Sequence, residues 1–147
     1  MKSKPLFHKQ ETRYSCVPAC LRMVLAGFGL EITERELRER CDSTPFNGTN
    51  ALQAVDAARQ LGFTGTAKYN LSLEDLRGLV ADGHFPIVFV DLRPIDGVRD
   101  SHALVILSIS EQEAVALDPL SGERTLPMRV FDSAWTMALN LTILISL

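Results

Sequence analysis

The hydrophobic pattern of this 147-residue chain changes period at Gly83, and no other feature constrains its fold as tightly. Before Gly83, apolar residues recur at helical spacing between start and stop signals. After it, short apolar runs are separated by turn residues. Ser15 is the expected N-cap of a first helix, with Pro18 in its first turn, where a missing N–H is harmless. Leu21, Val24, Leu25 and Phe28 continue that helix, and Gly27 and Gly29 mark its stop. Thr33 and Glu36 form a capping-box pattern ahead of Leu37 to Cys41. Asn50 opens a third helix whose one face is expected to carry Leu52, Val55, Ala58 and Leu61, with Gly62 at its end. Ser72 and Asp75 open a fourth, with Leu73, Leu76, Leu79 and Val80, closing at Gly83.

The second half carries strand signals. Pro86 to Leu92 is a short, nearly continuous apolar run, as expected of a buried central strand. A polar loop from Arg93 to Asp100 precedes the apolar run His102 to Leu107. Ala114 to Leu117, a turn over Asp118 to Gly122, and Arg124 to Leu126 follow. Phe131 and Trp135, four apart, suggest a short helix anchored by its rings. Leu141 to Ile145 closes the chain as a further strand. Helices first and an antiparallel sheet afterwards is an α+β pattern, and residues 1–147 are expected to form one domain.

Composition excludes several function classes. With 18 acidic and 15 basic side chains mixed along the chain, no basic stripe fits nucleic acid or an anionic membrane. No apolar run reaches the length of a membrane span, and the polar first ten residues lack the apolar region of a secretory signal. The three cysteines, Cys16, Cys20 and Cys41, are odd in number, which fits free thiols in a reducing compartment. They supply one Cys-x3-Cys spacing, too little for a zinc site, so no metal or cofactor is expected. Gly48, Gly62, Gly65 and Gly78 form no phosphate loop.

The chemistry-bearing residues centre on Cys16. A thiol opening a helix sits at the positive end of the macrodipole, which favours thiolate. Gln10, six residues upstream, can supply an amide donor beside that sulfur, or can be an ordinary solvated side chain. A thiol nucleophile needs a base, and the base needs an orienting acceptor. His8 lies in the N-terminal segment and His84 in a helix-to-strand turn, whereas His102 starts a strand directly after a polar loop. His102 is either that base or a structural histidine. Asp118 is either a turn former or the carboxylate that fixes the tautomer of His102. If the strands near 102–107 and 114–118 pair as a hairpin, both residues fall at one end of the sheet. Cys20 shares a helix face with Cys16 and is expected to be a small buried apolar residue, and Cys41 a packing residue.

In this order the residues resemble the peptidase C39 family, the papain-like cysteine peptidases of bacteriocin-processing ABC transporters. The resemblance rests on Gln10, Cys16, Ala19-Cys20-Leu21, Met23, the Pro86 strand, the His102 strand, Asp118-Pro119 with Gly122, and the Phe131 and Trp135 pair. It covers about residues 6 to 146. It implies a papain-like α+β fold and a peptide or leader-peptide substrate, with a separate ABC transporter as a candidate partner, in the cytoplasm. It further implies Cys16 as nucleophile, His102 as base and then acid, Asp118 as orienting carboxylate, and Gln10 with the Cys16 backbone N–H as oxyanion hole. The same thioester chemistry serves acyl or amide transfer, and a leader-binding adaptor that does not cleave is a further alternative. Three departures stand out. Ser15-Cys16-Val17 replaces the usual Asp-Cys-Gly, so a double-glycine leader is not the assured substrate. No transporter domains accompany the peptidase segment, and the usual glycine after the tryptophan is missing from Trp135-Thr136-Met137-Ala138.

Overall fold

A computed structural model of the chain describes residues 2–147. Along these residues run α1 (Cys16–Gly27), α2 (Glu34–Arg40), α3 (Ala51–Gln60), β1 (Ala67–Asn70), α4 (Leu73–Ala81) and β2 (Ile87–Asp91). They continue as α5 (Arg93–Asp96), β3 (Ser101–Ile109), β4 (Glu113–Asp118), β5 (Gly122–Pro127), α6 (Met128–Met137) and β6 (Leu141–Leu144). The strands form one sheet in the order β1-β6-β2-β3-β4-β5, with every neighbouring pair antiparallel.

Helices cover both faces of this sheet. Successive strand residues point to opposite faces. Ile87, Ala103 and Val105 therefore join a core with α1, α2 and α3, while Val88, Val90, Leu104 and Ile106 join a second core with α4 and α6. Burial on both faces is why Pro86 to Leu92 is nearly continuous in apolar residues, and β2 does lie inside the sheet, between β6 and β3. The α1 helix buries Val17, Ala19, Cys20, Leu21, Met23 and Leu25, so it is apolar around most of its circumference, as an interior helix must be. The N-terminal segment crosses it at Gly27, where the Ser3 N–H donates to the Gly27 carbonyl at 2.6 Å. A Cβ at Gly27 would stand 2.5 Å from the Ser3 oxygen, so only glycine admits the crossing.

The local start and stop signals act largely as expected. Thr33, Asn50 and Ser72 each accept a hydrogen bond from the backbone three residues on, and Asn50 with Gln53 completes a reciprocal capping box. Gly83 takes a left-handed φ of 86° just past α4. Ser15 departs from expectation: it holds the N-cap position of α1 without a side-chain cap bond, because its hydroxyl turns back to Thr12. Leu52 also departs. It is 55% exposed, and α3 instead buries the small residues Ala51, Ala54, Val55, Ala57 and Ala58 against α1.

Two elements were not legible in the pattern. β1 is a four-residue edge strand, half-buried at Ala67 and exposed beyond it, so it lacks an apolar alternation. The expected loop from Arg93 contains the single helical turn α5, stopped by Gly97 at φ 71°. The order of elements is also less segregated than expected, since β1 lies among the helices and α6 separates β5 from β6. Phe131 and Trp135 are fully buried on α6, with their rings stacked at 5.7 Å between centroids. Trp135→Ala is expected to cost about 3–5 kcal/mol, whereas Leu52→Ala should change stability by less than about 0.5 kcal/mol. Urea denaturation followed by circular dichroism checks both, and equal losses would contradict the burial pattern.

Candidate active site

Three antiparallel strands and the start of α1 converge on one end of the sheet. Val105 pairs with Leu117, so His102 lies three residues before that pair on β3 and Asp118 one residue after it on β4. They are diagonal neighbours across the hairpin, close enough for long side chains to meet. The His102 Nε2 and Asp118 Oδ1 atoms are 2.7 Å apart, and both side chains are buried. Asp118 is held from further directions. The Leu120 N–H donates to Oδ1 at 2.9 Å, and Arg124 Nη1 donates to Oδ2 at 3.2 Å. Arg124 faces Ala116 on β5, which brings its guanidinium alongside Asp118, and it also forms a two-bond fork with Asp96 at 2.8 and 3.0 Å.

These contacts set the protonation of the pair. Burial by itself would lower the pKa of His102, but the hydrogen bond to Asp118 and the adjacent Cys16 outweigh it and lift the ring to about 9. Burial would raise Asp118, yet the contacts from His102, the Leu120 N–H and Arg124 hold it at about 2. At neutral pH the pair is therefore imidazolium and carboxylate, with the sulfur of Cys16 near enough to the ring to act on its charge.

Cys16 is half-buried at the first position of α1. Backbone N–H groups in a first helical turn have no partner within the helix, so the surroundings of this sulfur are rich in donors. Cys16, Val17 and His102 line a cleft of about 900 Å³. One wall comprises Glu11 to Tyr14, and the loop Pro45 to Thr49, closed by a Thr44–Gly48 bridge, carries the 97% exposed ring of Phe46. Phe89, Leu92, Asp100 and Ser101 contribute from the sheet and from the segment before β3.

Gln10 lies next to this group but does not line the cleft. Its backbone N–H donates to the carbonyl of Pro119, directly after Asp118, at 2.8 Å. Its side chain is buried, and Nε2 donates to the carbonyl of Thr12, a residue of the cleft wall, at 2.7 Å. Oε1 is buried without a protein partner. The structure thus brings Cys16, His102 and Asp118 together and holds the Gln10 amide one residue behind the wall.

The remaining sequence candidates lie elsewhere. His84 pairs with Lys2, and neither it nor His8 lines the cleft. Cys20 is fully buried, and burial raises its pKa well above that of an ordinary thiol. Burial also pushes the Cys41 thiol up, to about 12. Both are packed as small apolar residues rather than poised as nucleophiles. No group of three or more His, Cys, Asp or Glu side chains suited to a metal ion occurs among the described residues. Sequence reasoning missed Arg124 and Asp96. The tight Asp118 to Gly122 turn was the available signal for Arg124, since it folds residue 124 back beside 118.

Comparison with known proteins bears on the family and the fold. Residues 5–145 match the Peptidase C39 family. A protein of Methanothermobacter thermautotrophicus, itself uncharacterized, is 32% identical over 127 residues, covering 86% of this chain and 80% of that one. The lactococcin-G-processing and transport ATP-binding protein LagD of Lactococcus lactis is 26% identical over 133 residues, 90% of this chain, but the match spans only 18% of LagD. Among solved structures, the peptidase domain of Streptococcus ComA, a bi-functional ABC transporter of a quorum-sensing pathway, superposes with a TM-score of 0.80. It is 27% identical, with 99% of this chain and 100% of that chain covered. A double glycine motif protease from an AMS/PCAT transporter, solved with its leader peptide, shares the fold at a TM-score of 0.78 and 23% identity, covering 97% and 91% of the two chains. The α+β papain-like fold follows from these superpositions, and the match along nearly the whole sequence means that this chain belongs to the peptidase C39 family.

Proposed function

We propose that this chain is a cysteine peptidase that cleaves a peptide or leader-peptide bond through a thioester acyl-enzyme. The observation that carries the reading is the buried 2.7 Å His102–Asp118 pair, set beside a helix-opening cysteine and facing a cleft of peptide dimensions. In this reading His102, already imidazolium, holds the proton given up by the Cys16 thiol, and the sulfur attacks the scissile carbonyl carbon. Asp118 keeps the ring oriented and stabilises the imidazolium. The tetrahedral oxyanion is met by the Cys16 backbone N–H and, once the Gln10 side chain turns from behind the cleft wall, by the second N–H of its amide, whose first is spent on Thr12. His102 then returns the proton to the leaving amine. Water, activated by the same ring, hydrolyses the thioester and regenerates the thiol.

A leader peptide as substrate is supported by the likeness to the ComA and transporter-derived peptidase domains. Val17 bears on the double-glycine motif. It is 2% exposed and packed into the α1 core, so its side chain takes up little of the cleft surface. Val17 therefore gives little steric ground against a small-residue motif, and we infer that a double-glycine leader still fits. No described helix is long and apolar enough to cross a membrane. By likeness to the transporter peptidase domains, we infer a transporter as partner, with the peptidase acting on the cytoplasmic side.

Cys16→Ala is expected to abolish cleavage, and Gln10→Ala to lower kcat by about 10²–10³-fold. Digestion of a peptide library read by mass spectrometry checks both. Iodoacetamide should alkylate Cys16 well ahead of Cys20 and Cys41, and equal labelling in the folded protein would sink the proposal. The pH dependence has a definite sign. His102 is raised from 6.5 to about 9, so its contribution to stability is complete below pH 6.5 and is lost as pH climbs through about 9. Asp118, lowered from 3.8 to about 2, contributes above pH 3.8 and loses that contribution as pH falls towards 2. Urea midpoints measured across pH should fall on the alkaline side for the wild type but much less for His102→Gln.

A further inference from the structure

Among the described residues, three acidic or basic side chains are buried: Glu34, His102 and Asp118. The last two meet in the candidate active site. Glu34 does not, and the reaction outlined above gives it no task. Its carboxylate, 1% exposed, starts α2 but leaves the capping of that helix to Thr33. It points to the irregular segment that carries Gln10, where both oxygens accept the Glu11 backbone N–H, at 3.0 and 3.1 Å. Arg38, one turn along α2, donates to Glu34 at 2.7 Å and to the side chain of Glu11 at 3.2 Å, and Arg22 of α1 lies 3.5 Å from Glu11.

A carboxylate buried in this way is costly, and well-packed apolar replacements of buried ion pairs are often as stable or more so. What this one does is local. The Gln10 backbone is bonded on one side to Pro119, and the next amide along is bonded to Glu34. The segment from Gln10 to Ser15 has no helix or strand to define its path beyond these anchors and the Thr12–Ser15 turn. Its amide donor, however, must stand within a fraction of an ångström of a developing oxyanion to act on it.

We propose that Glu34, with Arg38, is a positioning residue for the oxyanion side of the site, fixing the Gln10–Glu11 backbone so that the Gln10 amide reaches the reacting carbonyl. This rests on the peptidase reading above. It separates two functions that a general loss of structure would damage together. Nucleophilicity belongs to Cys16, His102 and Asp118, which Glu34 does not touch. Oxyanion binding belongs to the segment that Glu34 holds.

The test uses Glu34→Leu and Glu34→Gln in the full chain, with a peptide substrate cleaved by the wild type, a peptide aldehyde of the same sequence, and iodoacetamide. The aldehyde forms a tetrahedral adduct with an oxyanion; alkylation forms none. Glu34→Leu should lower kcat by about 10–100-fold, below the full loss of a donor, with KM changed less than threefold. Aldehyde affinity should fall by the same factor, the Cys16 alkylation rate should stay within twofold, and Glu34→Gln should fall between wild type and Leu. In a Gln10→Ala background, Glu34→Leu should cost nothing further. Hydrogen exchange at the Glu11 amide should quicken in Glu34→Leu, a readout that needs no activity. Unchanged kcat and aldehyde affinity would overturn the proposal, as would a parallel fall in alkylation or a full additional loss on top of Gln10→Ala. A wild type that exchanges the Glu11 amide slowly yet neither cleaves peptide nor binds aldehyde would instead overturn the peptidase reading.

Discussion

The hydrogen bond between His102 and Asp118 gathers the constraints of this molecule into one place. It needs β3 and β4 paired in the register that sets Val105 against Leu117, since a one-residue slip would send the two side chains to opposite faces of the sheet. It needs the sheet covered on both faces, because only a site removed from water gives a carboxylate and an imidazole this much influence over each other. It also needs α1 inserted so that its first residue arrives beside the ring. The two cores, one beneath α1 to α3 and one beneath α4 and α6, meet those requirements together.

Buried charge in such a sheet is tolerable only when each group is answered by another. Asp118 is answered by His102, by the Leu120 N–H and by Arg124, and Arg124 is answered in turn by Asp96 on the segment that leads into β3. Glu34 is answered by Arg38 and by a backbone amide. In the proposed reaction the first network orients the residues that move protons, and the second ties down the segment holding the amide donor. They come from opposite ends of the chain and meet around Cys16, because Gln10 is bonded to Pro119 at the turn where the first network ends.

Legibility varied with the range of the interaction. Caps at Thr33, Asn50 and Ser72 were readable because each involves residues three apart. The doubly buried strand β2 was readable from its apolar run. Of the expected α3 face, Val55, Ala58 and Leu61 join the core, and only Leu52 was misjudged: leucine is the more apolar residue in isolation, yet close packing selected the alanines and left Leu52 in solvent. Strand β1 escaped because an exposed edge needs no apolar pattern. In the site, Cys16, His102 and Asp118 could be named from residue type and position along the chain. Arg124 had only the tight turn after Asp118 to signal it, and Asp96 and Glu34 carried no sequence signal that separates them from ordinary surface charges.

By itself, the sequence determined the local elements, the change from helices to strands at Gly83, the resemblance to the C39 peptidases and the short roster of groups able to do thiol chemistry. These follow from interactions within a turn or a hairpin and from the order of motifs along the chain. Only the tertiary structure decided that β6 enters the sheet between β1 and β2, that Gln10 stands behind the cleft wall, and that Asp118 is shared between a histidine and an arginine. The reason is physical. A cap or an apolar period is decided by neighbours a few residues away, whereas the charge of a buried side chain is decided by whichever groups the fold brings within about 3 Å of it, however far along the chain they lie.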